Sequence, residues 1–313
     1  MVETKKIGII GYNEGNGHPF SFSAIINGYS QEKMDVSPYP NIAKYLSLRL
    51  PSDFGIDNWR VSHIWCPDKS MADTIANCTY IDNRVDDYKA MLGMVNAVII
   101  ARDDVKSHMP IAQFFLENGI PVFIDKPLCD DLAELKYFKQ YLENGLLMSC
   151  TGLRYYPTIT NRFSNKLDPN DIVWSHNVSI IDWYKYGIHV LESMIAVMGS
   201  DIVWVQNLGE DSNDIVRVQF ASGKFSIIQV NKETGFVIQS TFYTRNSEHF
   251  RIDYNDNFTC FRNMLLNFAN QLNTGKPAIN PEETIKIMKT LYAAHLSLKE
   301  NGRRVYINEF DYV

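Results

Sequence analysis

Two side chains in this sequence are placed to do proton chemistry. Lys126 ends the run Pro121-Val122-Phe123-Ile124-Asp125-Lys126-Pro127-Leu128, in which an apolar strand pattern stops on an acid, a lysine and a proline. In a parallel sheet the carboxyl ends of the strands border the crevice that receives ligands. Proline cannot extend the ladder and favours an extended residue before it. The ammonium group would therefore stand at the crevice, where burial and neighbours tune its pKa. His189 lies in Asp182-Trp183-Tyr184-Lys185-Tyr186-Gly187-Ile188-His189-Val190-Leu191-Glu192, ahead of an apolar run that stops at Gly199. Its imidazole is suited to taking a proton near neutrality. Helical spacing predicts that Lys185, His189 and Glu192 share one face, with Lys185 lowering and Glu192 raising the imidazole's basicity.

A third chemical segment follows the first strand. Ile7–Ile10 runs into Gly11-Tyr12-Asn13-Glu14-Gly15-Asn16-Gly17-His18-Pro19 and then a helix. Backbone N–H groups at such a helix start, aided by the helix dipole, can hold a diphosphate. The GxGxxG spacing of a dinucleotide loop is absent, and Glu14 adds a negative charge, so a structural turn that binds no nucleotide is the competing reading. Asp68, after the second strand, is placed to accept ribose hydroxyls. Lys69 beside it would favour a 2′-phosphate, and a solvated turn is the alternative.

The elements that must position these groups come in two styles. Up to residue 128, strand-like runs (Lys6–Ile10, Arg60–Cys66, Ala97–Ala101, Val122–Ile124) alternate with helical ones near Phe20–Tyr29, Met71–Ala76, Asp86–Leu92 and Met109–Asn118. This alternation predicts βαβ units and a doubly wound parallel sheet. Residues 30–58 break the rhythm with Pro38, Pro40 and Pro51 and a short helix near Ile42–Leu50, an insertion able to cover a ligand. A helix over Leu132–Asn144 opens the second half. Asp214–Phe220 and Lys224–Val230 then flank Ser222-Gly223, and Phe236–Arg245 and Phe250–Tyr254 continue the pattern of an antiparallel sheet with one buried face. Asn280 and Pro281 begin a closing helix, Gly302 ends it, and Arg304–Ile307 reads as a last strand. The expected fold is α/β: a Rossmann-type domain over 1–128 and an α+β domain with a large, open, mostly antiparallel sheet over 129–313.

Composition bounds the function. The chain has 313 residues, 45% of them hydrophobic and 21% charged, as in a globular protein. A net charge of -6 argues against a nucleic-acid binder. No apolar run approaches the ~20 residues of a membrane span, and Met1–Lys6 leads directly into a strand with no room for a signal peptide. Cys66, Cys78, Cys129, Cys150 and Cys260 are scattered without metal-site spacing, as expected of reduced thiols in the cytoplasm.

Taken together these segments resemble the Gfo/Idh/MocA family, the glucose–fructose oxidoreductase and inositol dehydrogenase relatives. Ala97–Ala101 with His108 is similar to its fourth strand and following turn. Val122–Leu128 resembles its Glu-Lys-Pro motif with Asp125 for the glutamate, and Thr151-Gly152-Leu153-Arg154-Tyr155-Tyr156-Pro157 the segment opening its second domain. Gly187-Ile188-His189 resembles its Asp-x-Gly-x-His motif, and Pro277–Ile307 its closing helix and strand. The resemblance implies NAD or NADP held by Gly11, Asn13, Gly15, Gly17, His18, Pro19, Asp68, Ala101, Arg102, His108, Asp125 and Lys126. It implies a sugar or cyclitol met by Arg154, Tyr186 and Glu192, with Lys126, His189 and Lys185 catalytic, and a homo-oligomer (dimer or tetramer) formed through the second sheet. His189 would take the substrate proton while Lys126 hydrogen-bonds that oxygen. Where the family has aspartate four residues before the histidine this chain has Lys185, which would hold His189 neutral and favour an anionic sugar. A non-redox sugar- or nucleotide-binding descendant, and redox-neutral use of a retained cofactor, are the alternatives.

Overall fold

Hydrophobic side chains on both faces of a strand demand a sheet covered on both sides, and Ala97-Val98-Ile99-Ile100 is such a strand: all four residues are buried. In the computed structural model, which describes residues 3–163, 168–210, 213–246 and 248–312, it is the centre of a parallel sheet. The elements of that sheet and its helices are β1 (Lys5–Ile10), α1 (His18–Asn27), α2 (Gln31–Asp35), α3 (Pro40–Leu46), β2 (Trp59–Trp65), α4 (Lys69–Thr79), β3 (Asn83–Arg84), β4 (Ala97–Ile100), α5 (His108–Glu117), β5 (Val122–Ile124), α6 (Leu132–Glu143) and β6 (Leu147–Ser149). The strand order is β3-β2-β1-β4-β5-β6. The order reverses between β1 and β4, so the ligand crevice of such a sheet lies at their carboxyl ends. The stretch Asp86–Leu92, expected to be a helix, is only a single 3₁₀ turn at Tyr88–Met91, and β6 was not expected at all.

The second sheet holds the remaining strands: β7 (Ile172–Ile180), β8 (Ile202–Asn207), β9 (Asn213–Phe220), β10 (Phe225–Asn231), β11 (Gln239–Thr244), β12 (His249–Asp253) and β13 (Val305–Tyr306). They run in the order β12-β11-β7-β10-β9-β8-β13. Only β7 and β10 pair in parallel; the other neighbours are antiparallel. Its helices are α7 (Pro157–Phe163), α8 (Ile188–Met198) and α10 (Pro281–Lys299), with α9 (Asn257–Thr274) between β12 and α10. Asn280 caps α10 through the Glu282 N–H and Pro281 occupies its first turn, as the sequence predicts.

The two compact units are not two consecutive halves. One contains everything up to Leu128 together with Phe138–Ser149 and Asn257–Ile279; the other contains Cys129–Tyr137, Cys150–Asp256 and the chain from Asn280 onward. A single boundary after residue 128 therefore gives way to a chain that returns twice to its first unit. The reason is aromatic. Phe261 and Phe268 of α9 pack against Phe22 of α1 and Phe123 of β5, with ring centroids 5.2 and 5.6 Å apart. Fully burying one such ring contributes roughly 1.5–3 kcal/mol.

Candidate active site

In the first unit the glycine-rich turn is tied down by side chains. The Arg102 guanidinium donates to the Tyr12 carbonyl at 2.7 Å and holds Asp104 through two nitrogens. The Asn13 amide donates to Asp103 at 2.5 Å, and the Asp103 N–H returns to the Asn13 oxygen at 3.1 Å. The Ala101 N–H donates to the Ile10 carbonyl, extending the ladder between β1 and β4. A Cβ on Gly11 would lie 2.6 Å from the Pro19 ring. One on Gly17 would lie 2.6 Å from Ile42 and 2.9 Å from Tyr39, so both positions need glycine. Gly15, at φ 81°, faces open space. The inserted segment therefore closes on this turn through Tyr39 and Ile42 of the α3 region.

The start of α1 departs from expectation. The His18 N–H donates to Asn16 Oδ1 at 2.8 Å, Pro19 has none, and the Phe20 and Ser21 N–H groups both return to the Gly17 carbonyl. Of the backbone positions that follow the N-cap Gly17, His18 and Phe20 have their donors engaged and Pro19 has none, while the Ser21 bond is the first regular turn of the helix. What the turn offers instead is Asn16, 3% exposed, whose Nδ2 has no hydrogen-bond partner among the described residues. An orphaned buried donor of this kind costs stability unless a ligand satisfies it. The turn thus fits a diphosphate, held by a side-chain amide rather than by helix amides.

His18 lies against Asp125. Nδ1 is 2.5 Å from Oδ2, and the ring stacks on Phe22 with its edge toward Phe261. Asp125 is buried, and burial alone would raise its carboxyl. His18, Lys126 and His108 outweigh that and hold it at about 2. Its other oxygen accepts the Lys126 N–H at 3.0 Å, and Lys126 is 3% exposed.

One expected cofactor contact is corrected. His108 is fully buried with both ring nitrogens facing the Leu128 and Arg102 carbonyls, so it joins the ends of β4 and β5 rather than presenting a nitrogen to a ligand. Asp68 caps α4 with Oδ1, which accepts from the Ser70 N–H, Ser70 hydroxyl and Met71 N–H, and its Oδ2 takes no part in the cap. Asn13 and Arg102 likewise spend their polar atoms on Asp103, Asp104 and Tyr12.

In the second unit, the segment before His189 is not a regular helix. Trp183–Gly187 form one π turn, capped by Asp182, whose Oδ1 accepts the Lys185 N–H at 2.7 Å. The Trp183 indole donates to the Leu291 carbonyl, and a Cβ on Gly187 would press 2.6 Å into that ring. Such wide turns change the spacing of side chains and concentrate at functional sites. Lys185, on this turn, is therefore not one α-helical turn ahead of His189, and the expectation of a shared face is corrected for Lys185, while His189 and Glu192 lie three residues apart on α8. Tyr186 meets the His189 ring at 65°, centroids 5.7 Å apart.

Arg154 and Glu192, expected to touch substrate, form a buried ion cluster. Arg154 Nη1 donates to Glu192 Oε1 at 2.8 Å and Nη2 donates to Glu283, while Glu192 Oε2 accepts the Thr151 N–H at 2.8 Å. Burial pushes the Glu192 carboxyl up against the pull of Arg154. The Thr151 hydroxyl sits 2.6 Å from His189 Nδ1. Thr151, Glu283 and Asn16 were not picked out from the sequence. Thr151 carried one signal, since a threonine ahead of Gly-Leu-Arg reads as the cap of a helical turn. All five cysteines are buried and unpaired to one another, and burial pushes the Cys66 thiol up to about 12. Among the described residues no group of histidine, cysteine and acids could hold a metal ion, and no helix is long and apolar enough to cross a membrane.

A parallel sheet in this order, with a glycine turn after β1, is a doubly wound fold whose ligand crevice lies at the switch point between β1 and β4. The family model described as oxidoreductase family, NAD-binding Rossmann fold, matches residues 5–148. Residues 5–148 thus match the NAD-binding Rossmann domain of the Gfo/Idh/MocA oxidoreductases. No curated protein matches the chain. Among solved structures it is similar to apo scyllo-inositol dehydrogenase from Lactobacillus casei (TM-score 0.76, 14% identity, 98% of this chain and 99% of that one). It is also similar to the same enzyme with bound NAD(H) and scyllo-inositol (0.74, 14%, 98% and 100%). A third is myo-inositol 2-dehydrogenase from Lactobacillus plantarum (0.74, 14%, 97% and 99%). At this identity the likeness is one of fold.

Proposed function

We propose that this protein is a nicotinamide-dependent dehydrogenase or reductase acting on a secondary hydroxyl of a sugar, sugar derivative or cyclitol. The observation that carries the proposal is Lys126, buried directly after β5 beside the Asp125–His18 pair, at the carboxyl end of a doubly wound sheet. A buried ammonium is costly unless it is paired, and the Asp125 carboxylate supplies an opposite charge beside it. Bound nicotinamide would supply the hydride acceptor or donor. Asn16 and His18 would hold its diphosphate end. Lys126 would donate a hydrogen bond to the reacting oxygen of the alcohol, and His189 Nε2 would take the hydroxyl proton. Tyr186 would border the sugar ring. Arg154 and Glu192 would hold the Thr151 backbone beside His189, and Lys185 is a candidate contact for an anionic substituent on the sugar. The inositol dehydrogenases of similar fold support a polyhydroxylated ring as substrate class.

The half-exposed face of the second sheet, with Trp174 stacked on Tyr243 at 4.2 Å and Arg217 over Phe225, supports assembly into a homo-oligomer. A second reading, a ligand-binding descendant without redox activity, is favoured by one observation: at the start of α1 the His18 and Phe20 N–H groups are engaged within the chain and Pro19 has none. Calorimetric titration with NAD+, NADH, NADP+ and NADPH separates the two. Micromolar binding of one pair, followed by turnover on a panel of sugars and cyclitols that Lys126→Ala abolishes, supports the dehydrogenase. A folded, ligand-free protein that binds none of the four at millimolar concentration supports the binder instead.

A further inference from the structure

We propose that Thr151 is the positioning residue that fixes the tautomer of His189, a role for which this chain has no carboxylate four residues before the histidine. The inference rests on the reading of His189 as the proton acceptor. Thr151 is 1% exposed, and its hydroxyl lies 2.6 Å from His189 Nδ1. Its backbone is held on both sides. The Thr151 N–H donates to Glu192 Oε2, Glu192 is gripped by Arg154, and Arg154 is gripped in turn by Glu283. On the other side Oγ1 accepts the Leu153 N–H at 3.3 Å, capping the turn Gly152–Tyr155. A threonine side chain has little rotameric freedom, so the buried cluster sets where Oγ1 points.

A hydroxyl oxygen has two acceptor positions. One takes the Leu153 N–H, and the second would accept from His189. With Nδ1–H donating to it, the imidazole carries its single proton on Nδ1, and Nε2 presents the lone pair that a base needs. The logic is that of any oriented histidine: the partner of one nitrogen decides what the other can do. Here the partner is neutral. It orients the ring without placing a negative charge beside the imidazolium that forms.

The test uses the full chain labelled with ¹⁵N-histidine, with the His189 signals assigned by their loss in His189→Gln. Long-range ¹H–¹⁵N spectra at about pH 8, where a free imidazole is neutral, report the tautomer directly. The expected result is an Nδ1–H tautomer at His189, retained in Thr151→Ser and lost in Thr151→Val, which keeps the shape and removes the hydroxyl. On an alcohol that the protein oxidises, Thr151→Val should lower kcat by about 10- to 100-fold. Cofactor affinity by calorimetry should stay unchanged, and Thr151→Ser should recover most of the rate. An Nε2–H tautomer in the unmodified protein, or an Nδ1–H tautomer that survives Thr151→Val, overturns the proposal. A Thr151-dependent Nδ1–H tautomer in a chain that turns over no alcohol supports the positioning and overturns the dehydrogenase reading.

Discussion

His18 Nδ1 lies 2.5 Å from Asp125 Oδ2, joining the first residue of α1 to the residue that precedes Lys126. The glycine turn and the lysine strand are thereby coupled through one charged hydrogen bond. A shorter acid replaces the glutamate of the family motif, and a histidine stands at the start of α1 to meet it. The pair also occupies part of the crevice with fixed charge, so the diphosphate end of a ligand would meet a side-chain donor where backbone amides ordinarily serve.

This pair makes acid stability a measurable property of one carboxylate. Asp125 falls from an ordinary 3.8 to about 2 in the folded protein. A depressed carboxyl contributes stability above its unfolded pKa, and that contribution is lost as the pH falls through the folded value. The window is therefore about pH 4 down to about pH 2, and the contribution is on the order of 2 kcal/mol. Urea midpoints measured across that range should fall with pH. In Asp125→Asn the slope should be shallower and the stability lower at neutral pH. An unchanged slope would show that the His18 contact does not hold the charge.

The Arg154 cluster should be the most fragile polar feature of the second unit. Removing the guanidinium leaves Glu192 buried without its partner, a loss of roughly 3–5 kcal/mol. Arg154→Met should therefore lower the urea midpoint sharply, and Arg154→Met with Glu192→Gln should recover part of it. Burial already raises the Glu192 carboxyl above its ordinary 4.5, and loss of Arg154 raises it further. The folded variant then binds more protons than its unfolded chain, so its stability should decline as pH rises above the ordinary carboxylate range. Equal losses in the single and double variants would mean that packing of the arginine stem, not its charge, carries the site.

How far the sequence reveals this structure depends on which faces are apolar. Ala97–Ile100 and Val122–Ile124 are buried on both sides and are legible as parallel strands. β7 is not, because its core-facing positions are Ser175, Asn177 and Ser179, which bond polar neighbours: Ser175 and Asn177 both meet Ser226 across the sheet, and Ser179 donates to the Tyr186 carbonyl. Polar residues on the inner face erase the alternation on which strand reading rests. α9 carries a readable stripe, Phe258, Phe261, Leu265 and Phe268, yet nothing local says that it returns to the first unit. At the site, Lys126 and His189 stand out by type and neighbours. The Thr151 contact with His189 joins residues 38 apart, and the π turn before the histidine breaks the 3.6 spacing that would place Lys185 one turn ahead of it.

Backbone strain collects just before that turn. Ile181 has φ 66°, a left-handed conformation that a β-branched residue adopts at a cost of roughly 1–2 kcal/mol. Its side chain is 41% exposed, so little packing compensates. Ile181→Gly should accordingly raise the thermal midpoint, a stabilisation of about 1 kcal/mol after the added freedom of the unfolded glycine is subtracted. A lowered midpoint would mean that the isoleucine side chain supplies contacts worth more than the strain. Residues 181 and 182 lead directly into the turn that carries Lys185, so a stabilised variant with reduced turnover would locate the strain's use at the site.

The outer face of the second sheet yields the last prediction. Along β7, β10 and β9 the residues alternate between a buried face and one that is half-exposed, and the half-exposed face carries Trp174, Phe225, Ile227, Ile215 and Arg217. Ile227 lies on β10, flanked by β7 and β9, with His176 and Arg217 as register partners. A broad face with this share of aromatic and aliphatic side chains favours burial against a second copy of the chain. Ile227→Glu would set a carboxylate into the middle of such an interface while leaving the buried face of the sheet untouched. The variant should sediment as a smaller species than the parent protein at equal concentration, with the far-ultraviolet spectrum unchanged. The guanidinium of Arg217 beside it can pair with an isolated glutamate on a free surface, so a monomeric parent should tolerate the change within about 0.5 kcal/mol. Equal sedimentation of the two proteins at the parent's oligomeric mass would place the interface elsewhere.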